Sequence, residues 1–141
     1  MAELFTVAVT VRGYETDVQG HLNQSVYLQY AEHARWMMLD AAGIRQTDLV
    51  AHGVGPVVLE TTIKYRRELR AGDEVEVSCA FRWREGKKTF EVEQVVSTSD
   101  GGIAAEINGV GGVLDLERRR LVDDPRKPFV ELAARPEVMG L

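Results

Sequence analysis

The hydrophobic period changes twice along this chain, and the order of those changes leaves few folds open. Phe5, Val7, Val9 and Val11 alternate with Thr6, Ala8 and Thr10, which predicts a strand with one buried face. From Gln24 to Ala42 the step becomes three and four. Tyr27, Tyr30, Ala31, Ala34, Met38 and Ala41 then form one apolar stripe, while Gln29, Glu32, His33 and Asp40 point elsewhere. Asn23 is placed to cap this helix and Gly43 to end it. A connection over 44–54 holds a short helix at Thr47–Ala51. Period 2 then returns in four runs: Val57 to Tyr65, Val75 to Trp83, Phe90 to Val96, and Ile103 to Leu116. Turn signals separate them at Glu68–Asp73, Glu85–Lys88 and Asp100–Gly102. Gly109, Gly111 and Gly112 interrupt the last run, which predicts a bulge or a close backbone approach. One strand, one long helix and four hairpin-linked strands predict an α+β fold with a single helix on an antiparallel sheet. The chain reads as one domain over 1–141. Its tail from Glu117, with three prolines and few apolar residues, is expected to be partly disordered or packed on a partner subunit.

Composition narrows the function. A net charge of −5 argues against a general nucleic-acid binder. The lone cysteine, Cys79, excludes an internal disulfide and fits a reducing compartment. Its alternation with Val75, Val77 and Phe81 marks it as a core thiol. Met1-Ala2-Glu3-Leu4 does not read as a leader, and no apolar run is long enough to span a bilayer. A cytoplasmic protein without membrane contact is expected. No spacing of His and Cys suggests a metal, and none is expected.

The chemistry concentrates in Tyr14-Glu15-Thr16-Asp17-Val18-Gln19-Gly20-His21-Leu22-Asn23, directly before the long helix. A carboxylate beside a helix start suits attack on a carbonyl, because the side chain supplies a nucleophile or base and free backbone N–H groups can hold an oxyanion. The segment resembles the active-site loop of hot-dog-fold acyl-CoA thioesterases of the 4-hydroxybenzoyl-CoA thioesterase type. Those carry an aromatic residue, Thr-Asp, two variable residues, Gly-His, an apolar residue and Asn, then the long helix. A second anchor, Tyr65-Arg66-Arg67-Glu68-Leu69-Arg70-Ala71-Gly72-Asp73, is similar to that family's aromatic, Pro-Leu-Arg and Gly-Asp pattern, with Glu68 where proline is usual.

The resemblance implies a hot-dog fold in which a five-stranded antiparallel sheet wraps the helix. It implies hydrolysis of an acyl-CoA or acyl-carrier-protein thioester, with coenzyme A as part of the substrate and no cofactor consumed. Asp17 would be nucleophile or general base, and the backbone N–H of Gln24 the oxyanion donor. His21 would orient Asp17 or contact the thioester, and Asn23 would cap the helix and bond in the site. Gly20 and Tyr27 would line the acyl site. Glu60 and Thr61 would face it from a neighbouring subunit, in a homodimer or a homotetramer built of dimers. Arg66, Arg67, Arg70, Arg82, Arg84, Lys87 and Lys88 are candidates for phosphate contacts. The rivals are a hot-dog hydratase or dehydratase, which leaves the thioester intact, and an acyl-CoA-binding protein without turnover.

Overall fold

In the computed structural model, which describes residues 4–141, a curled antiparallel sheet carries one long helix. The reading of Met1-Ala2-Glu3 falls outside the described residues. The strands are β1 (Phe5–Thr10), β2 (Val54–Tyr65), β3 (Glu74–Arg82), β4 (Thr89–Thr98) and β5 (Ile103–Asp115), in spatial order β1-β3-β4-β5-β2. A two-residue strand, β6 (Arg120–Leu121), adds to β5 from the tail. Helix α1 (Gln24–Ala41) packs chiefly on β3 and β1, and α2 (Gln46–Ala51) leads into β2. The expected elements are all present, with β2 starting three residues earlier than its alternation suggested.

The buried face of α1 is Val26, Tyr27, Tyr30, Ala31, Ala34, Met38 and Leu39. Ala31 and Ala34 are fully buried, so the helix backbone lies close to the sheet. Gln94 stands among the inward residues of β4 beside Phe90, Val92 and Val96. Its amide donates to the Ala31 carbonyl at 2.9 Å and to that of Ser78 at 3.3 Å, and it accepts from Arg35 at 3.1 Å. One buried amide thus clasps the middle of the helix to two strands, and its polar atoms are satisfied as burial requires. Cys79 is buried as expected, and burial pushes its thiol up to about 12.

The glycines of β5 serve both predicted purposes. Leu59 bulges out of β2 between Val58, opposite Gly111, and Glu60, opposite Val110. A Cβ on Gly109 would fall 2.9 Å from the Glu60 carbonyl oxygen, and one on Gly111 equally close to the Phe90 ring. The bulge leaves Val58 and Leu59 54% and 50% exposed on an edge strand of the sheet.

The tail, for which the sequence offered disorder or a partner's surface, folds back on its own chain. Helix α3 (Arg126–Leu132) buries Phe129 completely against Trp83 and Phe90, with ring centroids 5.7 and 6.5 Å away. The backbone N–H groups of Ala134 and Arg135 donate to the Ala42 carbonyl, and Arg135 Nε donates to that of Ala41 at 2.7 Å. These donors satisfy carbonyls that a helix end leaves free. Gly43, at φ +89°, turns the chain there, and a Cβ on it would lie 2.8 Å from that of Ala134. Trp83 Nε1 donates to the Met139 carbonyl at 2.8 Å.

Candidate active site

The loop between β1 and α1 is built around backbone pairing with the segment before β3. Asp17 N donates to the His21 carbonyl at 2.8 Å, and Gly20 N donates to that of Asp17 at 2.9 Å. Gly20 takes φ +78° to close this turn, a conformation glycine adopts without strain. Leu22 N donates to the Leu69 carbonyl at 2.7 Å, and His21 pairs with Arg70. The two segments singled out in the sequence are therefore neighbours in space.

The Asp17 side chain shapes its own loop. Its Oδ1 accepts from the backbone N–H of Gln19 at 2.9 Å and of His21 at 3.2 Å, the turn-capping habit of aspartate. Oδ2 has no partner among the described residues. Asn23 caps α1: its Oδ1 accepts from the backbone N–H and the hydroxyl of Ser25, both at 3.0 Å. Asn23 O takes the N–H of Val26. The Gln24 N–H, the first of the helix, finds no acceptor among the described residues. It is a free donor at the positive end of an 18-residue helix.

These groups share an open cleft of about 490 Å³, lined by Asp17, His21, Leu22, Asn23, Gln24, Tyr27 and residues 65–68. Tyr27 is buried, its hydroxyl 3.3 Å from the Arg67 carbonyl and its ring edge-on to Tyr65 at 5.1 Å. Tyr65 in turn donates to the Gln24 carbonyl at 3.1 Å. Gly20 lies in the same turn but does not line the cleft. Neither do Glu60 and Thr61, which the register places on opposite faces of β2, Thr61 on the side of Ile63 and Tyr65 and Glu60 beside Glu91 and Glu93. Of two adjacent strand residues, only one faces a given side of the sheet. Tyr14 is 84% exposed and does not line the cleft.

His21 does not reach the Asp17 carboxylate with its ring. Its Nε2 lies 2.6 Å from Glu68 Oε2 and 3.3 Å from Arg70 Nη2. In the sequence Glu68 stood out only as a departure from proline, and Tyr65 only as the aromatic residue of the second anchor. The strand alternation places Tyr65 on an inner face, but nothing local in sequence shows its bond to Gln24, 41 positions away. Of the basic candidates, Arg66 and Arg67 line the cleft, paired with Glu106 at 2.8 Å and Asp100 at 3.0 Å. The Asp100 carboxyl is held down at about 2 by bonds from the Thr98 hydroxyl, the Gly102 N–H and the Arg67 guanidinium. Exposed pairs of this kind contribute little, so a phosphate can replace the carboxylate cheaply. Arg82 and Arg84 pair with Glu93 and Glu91, away from the cleft.

Beneath the loop, Glu15 is a support that sequence reasoning missed. It is 9% exposed and accepts from Tyr30 Oη at 2.6 Å, Arg12 N at 2.9 Å and Arg12 Nη1 at 3.1 Å. Burial pushes its carboxyl up, but these bonds outweigh burial and hold it below its ordinary value. A depressed carboxyl stabilises fully above the ordinary glutamate range and loses that stabilisation as pH falls through the folded-state value. Tyr30→Phe removes one donor and is expected to cost about 1.5–3 kcal/mol at pH 7. Denaturant unfolding should show the gap to wild type narrowing as the pH is lowered through the carboxylate range. A gap independent of pH would contradict the assignment.

A second cavity, of about 120 Å³, lies further along α1 between Trp36, Val57, Phe81, Phe90 and Phe129, with Glu32 and Arg35 at its wall. Glu32 is eight residues beyond Gln24, roughly 12 Å along the helix. It stands apart from the Asp17 cleft. Among the described residues no group of three or more His, Cys, Asp or Glu side chains is placed to hold a metal, and no helix is long and apolar enough to cross a membrane.

Residues 11–138 match the model of the thioesterase-like superfamily. The chain is 26% identical over 141 residues to the chloroplastic acyl-acyl carrier protein thioesterase ATL3 of Arabidopsis thaliana, covering 99% of this chain and 74% of that protein. It is 30% identical over 98 residues to the long-chain acyl-CoA thioesterase FadM of Escherichia coli, covering 70% of this chain and 74% of that protein. It superposes on the crystal structure of Slr0204, a 1,4-dihydroxy-2-naphthoyl-CoA thioesterase from Synechocystis, with a TM-score of 0.80 over 92% of this chain and 95% of that one. At 17% identity this last likeness establishes the fold, the hot-dog architecture.

Proposed function

The chain belongs to the thioesterase-like superfamily, a thioester hydrolase by that membership, and on this premise we propose that it hydrolyses an acyl thioester of coenzyme A or of an acyl carrier protein to a free acid and a thiol. One observation carries the reading: an aspartate with a free carboxylate oxygen and an unoccupied helix N-terminal N–H line the same open cleft.

In this reading the thioester oxygen takes the Gln24 N–H, where negative charge develops as the carbonyl is attacked. Asp17 attacks the acyl carbon or takes a proton from the water that does. The sulfur leaves as a thiolate, which needs little protonation. Asn23 keeps the first turn of α1 wound, so the Gln24 N–H stays aimed at the cleft. Tyr27 lines the acyl site, and Gly20 closes the turn that holds Asp17. Arg66 and Arg67 exchange their carboxylate partners for phosphates of the carrier arm.

The site is completed by a second copy of the chain. β2 ends the sheet with Val58 and Leu59 uncovered, and an exposed apolar edge calls for a partner strand. Thr61, on the helix side of that strand, is then the residue offered to the neighbouring cleft. A homodimer, or a pair of dimers, follows. A cytoplasmic setting suits the buried free thiol of Cys79.

The testing experiment is thiol release from short, long and aromatic acyl-CoA esters and from acyl carrier protein thioesters. Turnover of any class supports the reading, and the preferred ester identifies acyl group and carrier. Binding without thiol release would favour the acyl-CoA-binding rival, and a product that keeps its thioester would favour a hydratase.

A further inference from the structure

The contact between His21 and Glu68 has no part in the reading above, which it extends. We propose that Glu68 is a positioning residue for the hydrolytic step: it holds the His21 ring with the proton on Nε2, so that Nδ1 takes a proton from the attacking water. The inference rests on the thioesterase reading of the same cleft.

The geometry assigns the tautomer. His21 Nε2 is 2.6 Å from Glu68 Oε2, whereas Arg70 Nη2 is 3.3 Å from the same nitrogen. Arginine only donates, and a carboxylate only accepts. The shorter contact decides the matter, so Nε2 carries the proton and donates to Glu68. Arg70 Nη2 also lies 3.4 Å from Glu68 Oε1, a cation that keeps the carboxylate charged. Nδ1 has no partner among the described residues and is the acceptor of the neutral ring.

The placement argues for a role in the reaction. His21 and Glu68 both line the cleft that holds Asp17 and the Gln24 N–H. The His21 backbone N–H is bonded to Asp17 Oδ1 at 3.2 Å, so nucleophile and imidazole share one rigid turn. The pair is half exposed, at 25% for His21 and 51% for Glu68, and contacts so exposed contribute little to stability. Glu68 also stands where the resembling family has proline. A proline stiffens this loop through its backbone, whereas a glutamate reaches the ring.

The step balances with Asp17 as nucleophile. Its carboxylate oxygen bonds to the acyl carbon, and the C–S bond breaks with its electron pair leaving on sulfur. Water then attacks the mixed anhydride. Its proton passes to His21 Nδ1, its oxygen bonds to the acyl carbon, and the bond to Asp17 breaks with its pair returning to the carboxylate. The imidazolium finally gives its proton to solvent. Losing the ring's anchor slows only the second half, so thiol is released once per site before turnover lags.

Three variants separate ring positioning from loop stiffness. Glu68→Gln keeps an oxygen that accepts from Nε2–H and is expected within about threefold of wild-type kcat. Glu68→Ala and Glu68→Pro keep no acceptor and are expected to lose about tenfold in kcat, part of what a positioned base contributes, with KM little changed. Rapid mixing should show them releasing one equivalent of thiol per site in a burst before the slow phase. Rescue by proline but not by glutamine would overturn the proposal in favour of loop stiffness, as would wild-type turnover in Glu68→Ala. A wild type that releases no thiol from any ester overturns the hydrolytic reading and this inference together, whereas an active wild type with inert Glu68 variants overturns this inference alone.

Discussion

Asp17→Asn is expected to lower thiol release at least about a hundredfold while leaving the fold intact, since a positioned nucleophile or base accounts for that much of a rate. The geometry makes this substitution unusually clean. Asp17 Oδ1 accepts from the backbone N–H groups of Gln19 and His21, and an asparagine amide oxygen can keep both bonds. The loop therefore survives, the Gln24 N–H stays free, and only the charge and its reactivity are lost. Steady-state thiol release beside a thermal melt checks the expectation. A melting temperature near that of wild type with turnover reduced a hundredfold supports the carboxylate mechanism. Near-wild-type turnover in a folded Asp17→Asn protein would remove the carboxylate from the chemistry and leave Asp17 as the cap of its own turn.

Phe129→Ala carries the largest expected effect on stability. Phe129 is fully buried against Trp83 and Phe90 and is the main apolar anchor of α3. Truncating a fully buried phenylalanine costs about 3–5 kcal/mol, the lost transfer energy plus the cavity left behind. For a chain of this size that corresponds to a fall in melting temperature of roughly 10–17 °C. Chemical denaturation at 25 °C checks it directly. The slope with denaturant is also expected to drop if the tail detaches before the rest unfolds, because less surface is then exposed in the main transition. An unchanged midpoint would mean that the tail contributes nothing to the folded body.

Much of this molecule is legible in its sequence because its elements obey local rules. The stripe of Tyr27, Tyr30, Ala31, Ala34 and Met38 is buried as its spacing requires. Asn23 caps and Gly43 turns the chain as their chemistry suggests. The loop of Asp17 reads as a site because residue types and spacing coincide with a known pattern, and the cleft brings Asp17, His21, Asn23, Gln24 and Tyr27 together. What stayed hidden is what depends on partners far along the chain. Glu15 looks like a surface residue until Tyr30 and Arg12 close over it. Glu68 looks like a missing proline until His21 is seen beside it. Glu60 and Thr61 lie on opposite faces of β2, as adjacent residues of a strand do. The tail's few apolar residues are enough to hold it on its own chain, because Phe129 and Met139 are both fully enclosed.

The return of the tail to the end of α1 bears on how the chain is made. Helix α1 is synthesised long before residues 134–135, yet Ala41 and Ala42 receive their hydrogen-bond donors from them. A nascent chain still tethered by its last segment holds the helix with its far end open and with Trp83 and Phe90 uncovered. Synthesis of residues 126–141 thus closes this folded body, and a premature stop anywhere before Phe129 would leave an exposed aromatic cluster for chaperones and proteases to recognise.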